Sequence, residues 1–173
     1  PLVQAYEGYL FASLALATAQ GYLDAPGIEL AVEAQGSKGG KEYYALETIN
    51  LQRFQIPVDA NGAVFVPYRG RQGSFPYVPA YKVLNGSADL SQLKGKIVLV
   101  GTSAPGLLDL RSTPVQNIYP GVEVHANIIS GILDNRIKHK PAWTIGYEFV
   151  LLIIVAVSMA LLLPLVSPLI AAA

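Results

Sequence analysis

The sequence predicts an α/β domain, a mixed sheet with a central buried parallel strand, flanking helices and a β-hairpin, followed by a transmembrane α-helix. Three observations predict it. A continuous apolar, β-branched run, Ile97, Val98, Leu99 and Val100, is followed by a long loop and then by apolar residues at helical spacing, which is half of a parallel crossover unit. Two apolar stretches flank the turn-forming sequence Asp59, Ala60, Asn61, Gly62. The 25 residues after Glu148 carry no charge, although the 173-residue chain holds 12 basic and 12 acidic side chains.

Taken in order, strands are expected on either side of Glu7 and Gly8, then a helix over 11–20 closed by Gly21, with Leu14, Leu16 and Ala17 in the core. IELAVEA, 28–34, reads as a strand, and GSKGGKE, 36–42, with its three glycines, as a flexible loop. Residues 51–58 and 63–68 pair as a hairpin around the 59–62 turn. Beyond a loop at 69–79, a short helix at 80–84 is stopped by Asn85 and Gly86, and 89–93 forms another turn. The strand at 97–100 leaves through a loop, 101–120, into a helix over 121–135 whose apolar stripe is Val122, Ala126, Ile129 and Leu133. One central strand is not a parallel sheet, so its neighbours are expected from sequence upstream of Pro1.

Residues 149–163, FVLLIIVAVSMALLL, are interrupted only by Ser158, with Trp143 and Tyr147 ahead as aromatic anchors and Pro164 behind. About 20 apolar residues cross a bilayer, so 141–166 is assigned to a transmembrane helix, 1–140 to the soluble part and 167–173 to the start of a hairpin toward a further span. Arg136, Lys138 and Lys140 precede the span, and counting positive charges would leave the soluble part in the cytoplasm. That rule weighs little for a large domain, which translocates regardless of its charge. Pro1 is no initiator and Ala173 falls inside an apolar stretch, so the chain is expected to be a piece of a longer protein.

Composition removes several classes. A balanced charge without a basic run excludes nucleic acid as a partner. The absence of cysteine excludes disulfides and thiolate chemistry, and two histidines, His125 and His139, are too few for a His-rich metal centre. No cofactor and no metal site are expected.

The segment Gly101, Thr102, Ser103, Ala104, Pro105, Gly106 opens like a phosphate-binding loop, but Leu107 and Leu108 stand where Lys and Ser or Thr are needed. It is also one residue from the hydrolase elbow G-x-S-x-G, with Ser103 as nucleophile and Asp109 and His125 following in hydrolase order. Pro105 replaces the second glycine, and Asp109 comes too soon after Ser103 for a triad acid. A structural reading covers most of these residues: a tight exit from a strand, with Thr102 and Ser103 satisfying loop amides and Asp109 pinning the loop. The ligand reading gathers Asp109, Thr113, Glu123 and Asn127 at the carboxyl end of the strand, where open α/β sheets bind ligands. Glu123 and Asn127, four apart, share a helix face, while His125 points elsewhere.

Residues 94–135, KGKIVLVGTSAPGLLDLRSTPVQNIYPGVEVHANIISGILDN, resemble the closing signature of the CHASE2 family, extracytoplasmic sensor domains of bacterial membrane receptors. The matching positions are Gly101, then Gly106, Leu107 and Asp109, the pair Thr113 and Pro114, and Tyr119, Pro120, Gly121, Val122, Glu123, His125, Ala126 and Asn127. FASLALA, 11–17, and VPYRG, 66–70, also look like that family.

The resemblance implies a transmembrane helix and a first sensor half upstream, and further spans downstream. It also implies a cytoplasmic output module, most commonly a class III adenylate or guanylate cyclase making cAMP or cGMP, otherwise a histidine kinase, Ser/Thr kinase or diguanylate cyclase. It places the soluble part in the periplasm, at the inner membrane, working as a homodimer with an unknown periplasmic ligand or partner protein. No catalytic residue is expected in this chain. Candidate ligand positions are Thr102, Ser103, Asp109, Thr113, Glu123 and Asn127. The rival readings are a membrane-anchored periplasmic hydrolase using Ser103 and a purely structural membrane protein.

Overall fold

The structure, a computed structural model, describes residues 1–38, 41–103, 109–139 and 143–163, and divides into two units, Pro1–His139 and Lys140–Ala173. In the first, β1 (Val3–Tyr6) and β2 (Tyr9–Ala12) form an antiparallel hairpin, with Tyr6 opposite Tyr9. Glu7 and Gly8 take φ angles of 48° and 81°, the left-handed pair that matches a two-residue turn to the twist of its strands. Helix α1 (Leu14–Tyr22) begins three residues later than expected because Phe11 and Ala12 belong to β2. Its cap is Ser13, whose Oγ accepts from the Leu16 N–H at 3.3 Å. Gly21 lies inside the helix. The stop comes at Asp24, whose φ of 50° lets its own N–H reach Gly21 O and that of Ala25 reach Gln20 O.

A three-stranded antiparallel sheet follows in the order β3 (Glu29–Lys38), β4 (Lys41–Leu51), β5 (Phe54–Pro57). The loop expected at 36–42 is paired strand instead, as far as Lys38 opposite Lys41; Gly39 and Gly40 lie outside the described residues. The partner strand, rich in Tyr and Thr, favours continued pairing over release. The hairpin expected across 59–62 forms one turn earlier, at Gln52 and Arg53, so that Leu51 faces Phe54 within the stretch read as one strand. Asp59 still makes its turn: Oδ1 accepts from the N–H groups of Asn61 and Ala63 at 2.9 and 2.8 Å, and Gly62 supplies a φ of 68°. Residues 63–68 form no strand pairing.

Short elements at 80–92 match expectation: α2 (Ala80–Leu84) and a 3-10 turn, Leu90–Gln92, capped by the Asp89 carboxylate. No parallel strand pair is present among the described residues: every pair is antiparallel, and 97–100 carries no strand pairing, with Val98 52% and Val100 90% exposed. An apolar run is a buried strand only where neighbours take up its backbone N–H and C=O groups, and no described residue does so for 97–100.

The expected loop at 101–120 contains a hairpin, β6 (Leu110–Thr113) and β7 (Gln116–Pro120). Thr113 closes it, its Oγ1 donating to Gln116 O at 2.9 Å and accepting from the Gln116 N–H at 3.2 Å. Helix α3 (Gly121–Leu133) follows directly. It ends with Asn135 at φ 52°, the Arg136 N–H returning to Gly131 O and that of Asn135 to Ile132 O. Its buried face is Glu123, Asn127, Ile129 and Ile132 rather than the expected stripe of Val122, Ala126, Ile129 and Leu133. Helices α1 and α3 pack together, and Leu16, Ala19, Ile49, Leu51, Ile56 and Ile132 form the core between them and the sheet.

The second unit contains α4 (Trp143–Leu162), whose side chains from Phe149 to its end are all exposed. No helix among the described residues is long and apolar enough to cross a membrane. Past Glu148 the described part of α4 keeps about 14 uncharged residues and rises about 21 Å, against a hydrocarbon core of about 30 Å. The expected span thus has its helix, but its residues 141, 142 and 164–166, and the expected hairpin at 167–173, lie outside the described residues.

Candidate functional site

The polar face of α3 holds the loop at 69–77. Asn127 is fully buried; its Oδ1 accepts from the Arg69 N–H at 2.9 Å, and its Nδ2 donates to the Tyr119 hydroxyl at 2.9 Å and to Glu123 O at 2.8 Å. Glu123, 2% exposed, receives the Ser74 N–H at 2.9 Å, the Gly73 N–H at 3.1 Å and the Tyr77 hydroxyl at 2.6 Å. Burying a carboxylate without donors costs several kcal/mol, so these three donors are the condition for Glu123 to sit where it does. Its place in the first turn of α3 adds a favourable interaction with the helix dipole.

Around this pair, Arg69 reaches Asp134 at 2.6 Å and lies over the Phe75 ring, while Tyr119 stacks edge-on against Tyr68 at 5.4 Å. Burial, then the hydrogen bond and charge of Glu123, push the Tyr77 phenol above its ordinary range. Burial raises Tyr119 likewise, with the Asn127 amide opposing. The Arg69 hydrogen bond, then that of Ser130, holds the Asp134 carboxyl below its usual value.

Beside the loop lies an open concavity of about 440 Å³ lined by Arg71, Thr113, Pro114, Val115, Gln116 and Asn117. Its two walls are tied together, Gln116 Oε1 accepting from the Gln72 N–H at 3.1 Å.

Of the residues singled out from the sequence, Glu123 and Asn127 come together as their spacing requires. Thr113 lines the concavity, with its hydroxyl engaged inside its own turn. Asp109 pins the start of α3: its carbonyl accepts from the Gly121 N–H at 2.8 Å, and its carboxylate fills the space a side chain on Gly121 would take. Thr102 and Ser103 are exposed, and 104–108 lie outside the described residues. His125 Nδ1 is buried without a hydrogen-bond partner among the described residues, and no hydrogen bond among those residues joins His125 to Asp109 or Ser103. Arg69, Arg71, Tyr77, Gln116 and Tyr119 have no site role in the sequence reading. The usable signal was Tyr119, immediately ahead of the α3 motif, since buried tyrosines seek hydrogen-bond partners.

Fold and site together define a mixed α/β domain in which one helix grips a long loop through buried polar side chains, with an apolar helix after it. The CHASE2 domain model matches residues 1–163, and the chain belongs to the CHASE2 family, extracytoplasmic sensory domains of signalling receptors. No curated protein and no solved structure matches the chain.

Proposed function

We propose that this chain is the signal-input part of a receptor in the bacterial inner membrane. Residues 1–139 face the periplasm, α4 forms the body of the first span after the sensor, and a cytoplasmic class III nucleotide cyclase supplies the output as cAMP. The observation that carries the reading is the extent of the family match, which runs unbroken through the α/β unit and α4. The uniformly exposed apolar surface of α4 supports it, because such a helix is stable only where lipid or protein replaces water.

The mechanism is a population shift: a periplasmic ligand or partner binds two states of the sensor unequally, and the homodimeric receptor converts the difference into output. Helix α3 is the element suited to carry the change, since Glu123 and Asn127 tie it to the loop at 69–77. Of the remaining candidates, Asp109 acts by seating α3, Thr113 lines the open concavity, and Thr102 and Ser103 stand exposed ahead of it in the chain.

The test is a pair of fusions in the full-length receptor at the exposed Gly86 turn. Alkaline phosphatase placed there is expected to be active, and a reporter active only in the cytoplasm is expected to be silent. The reverse result would overturn the reading.

A further inference from the structure

We propose that the concavity between the Arg71 loop and the turn at 113–117 binds a small organic carboxylate, with the Arg71 guanidinium as its anchor. This deepens the sensory reading by naming a ligand class.

The one charge in the lining is positive, and the capacity left over on its Arg71 and Gln116 side chains is donor, while the Asn117 amide offers both a donor and an acceptor. The Arg71 guanidinium, with five N–H groups, makes no ion pair or hydrogen bond among the described residues. Gln116 has committed its Oε1 to the Gln72 N–H, which leaves the Nε2 hydrogens. Both functions of the Thr113 hydroxyl are spent on Gln116 backbone. Glu123, the acid that holds this loop, is buried with both oxygens occupied. A cation and an amide donor facing an open space call for an acceptor-rich, negatively charged head group, and a guanidinium fork matches a carboxylate in shape as well as charge.

Pro114 and Val115 give the same concavity an apolar edge for a short carbon body, and its volume of about 440 Å³, open to solvent, leaves room for a small acid with its water. Both walls are already set. The loop is anchored on Glu123 and Asn127, the turn is closed by Thr113, and the Gln116 to Gln72 bond fixes their separation. Binding therefore pays little for ordering.

The experiment uses the whole chain in detergent micelles, titrated with butyrate at constant ionic strength and followed by NMR, with chloride as the control anion. Saturable shifts are expected at the Arg71 and Asn117 amides and at Gln116 Nε2. Arg71→Gln is expected to weaken binding at least about tenfold, the loss of a charge-assisted pair. Asn117→Asp, which sets a like charge on the exposed rim, is expected to weaken it as well. Absence of saturable shifts up to about 50 mM, equal shifts with chloride, tighter binding of inorganic phosphate than of butyrate, or an unchanged affinity in both variants would overturn the assignment. The Gly86 fusions do not depend on any ligand, so a failure here leaves the membrane topology of the receptor to its own test.

Discussion

Asn127 on α3 and Tyr119 on β7 share a buried hydrogen bond, amide to hydroxyl at 2.9 Å, which joins the helix to the strand that leads into it. The same amide reaches the Arg69 backbone through its oxygen, so one side chain serves three segments. Asn127→Leu, close in volume, would take from the Tyr119 hydroxyl its amide donor, leaving it only the long bond to Gly70 O at 3.5 Å, and would leave the part-buried Arg69 N–H without its acceptor. A loss of about 2–4 kcal/mol is expected in urea unfolding, with Tyr119→Phe costing about 1 kcal/mol. Equal costs for the two variants would contradict the central place given to Asn127.

Glu123→Gln keeps the shape of the side chain but turns half of its acceptor capacity into a donor facing donors. The loop at 71–77 should loosen while the core holds. Amide exchange at Gly73 and Ser74 is expected to speed up at least about tenfold, the equivalent of roughly 1.4 kcal/mol, with exchange at Ile49 and Ile56 little changed. Uniform acceleration throughout would show that Glu123 supports the whole fold and not this loop.

A glycine inside a helix ordinarily becomes more stable by about 1 kcal/mol when replaced by alanine. At Gly131 the sign reverses, because the new methyl would meet the rigid ring of Pro67. Gly131→Ala is expected to lower stability by about 1–3 kcal/mol. Adding Pro67→Ala should recover part of that loss, a non-additivity read from a double-mutant cycle.

Acid should release the Arg69 contact only once pH falls below the ordinary carboxylate range. The Asp134 carboxyl is held below its unfolded value, so its contribution is present above about pH 3.8 and is lost as pH falls through the lower folded value. Asp134→Asn should flatten the acid limb of a stability profile. Tyr77 works in the opposite direction. Its phenol is raised, so its contribution is present below about pH 10 and is lost as pH climbs through the folded value. A tyrosine absorbance titration of the folded protein should show a group of phenols, Tyr68, Tyr77 and Tyr119, that ionise only above the ordinary range, and Tyr77→Phe should remove one phenol from that late group and none from the phenols that ionise near pH 10.

Local chemistry was readable wherever a few residues decide a conformation by themselves. Glu7 with Gly8, Asp59 with its turn, and Ala80 to Gly86 folded as their residue types require. So did the pairing of Glu123 with Asn127 on one helix face, since helical spacing alone puts them there. Less was readable where a distant partner decides. Ile97 to Val100 has the composition of a central strand, and no strand lies on either side of it among the described residues. The polar side of α3 became the inner side because the loop at 69–77 brings the donors that satisfy it, and that loop is about fifty residues away in the chain. Arg71 and Gln116 could not be paired from sequence for the same reason.

Helix α3 is seated at both ends without clearance, the Asp109 carboxylate against Gly121 and the Pro67 ring against Gly131. Neither position has room for a side chain, so the helix cannot gain bulk at Gly121 or Gly131 without displacing Asp109 or Pro67. Any shift of α3 along its axis would carry those two residues with it, and through them β6 and the loop at 69–77.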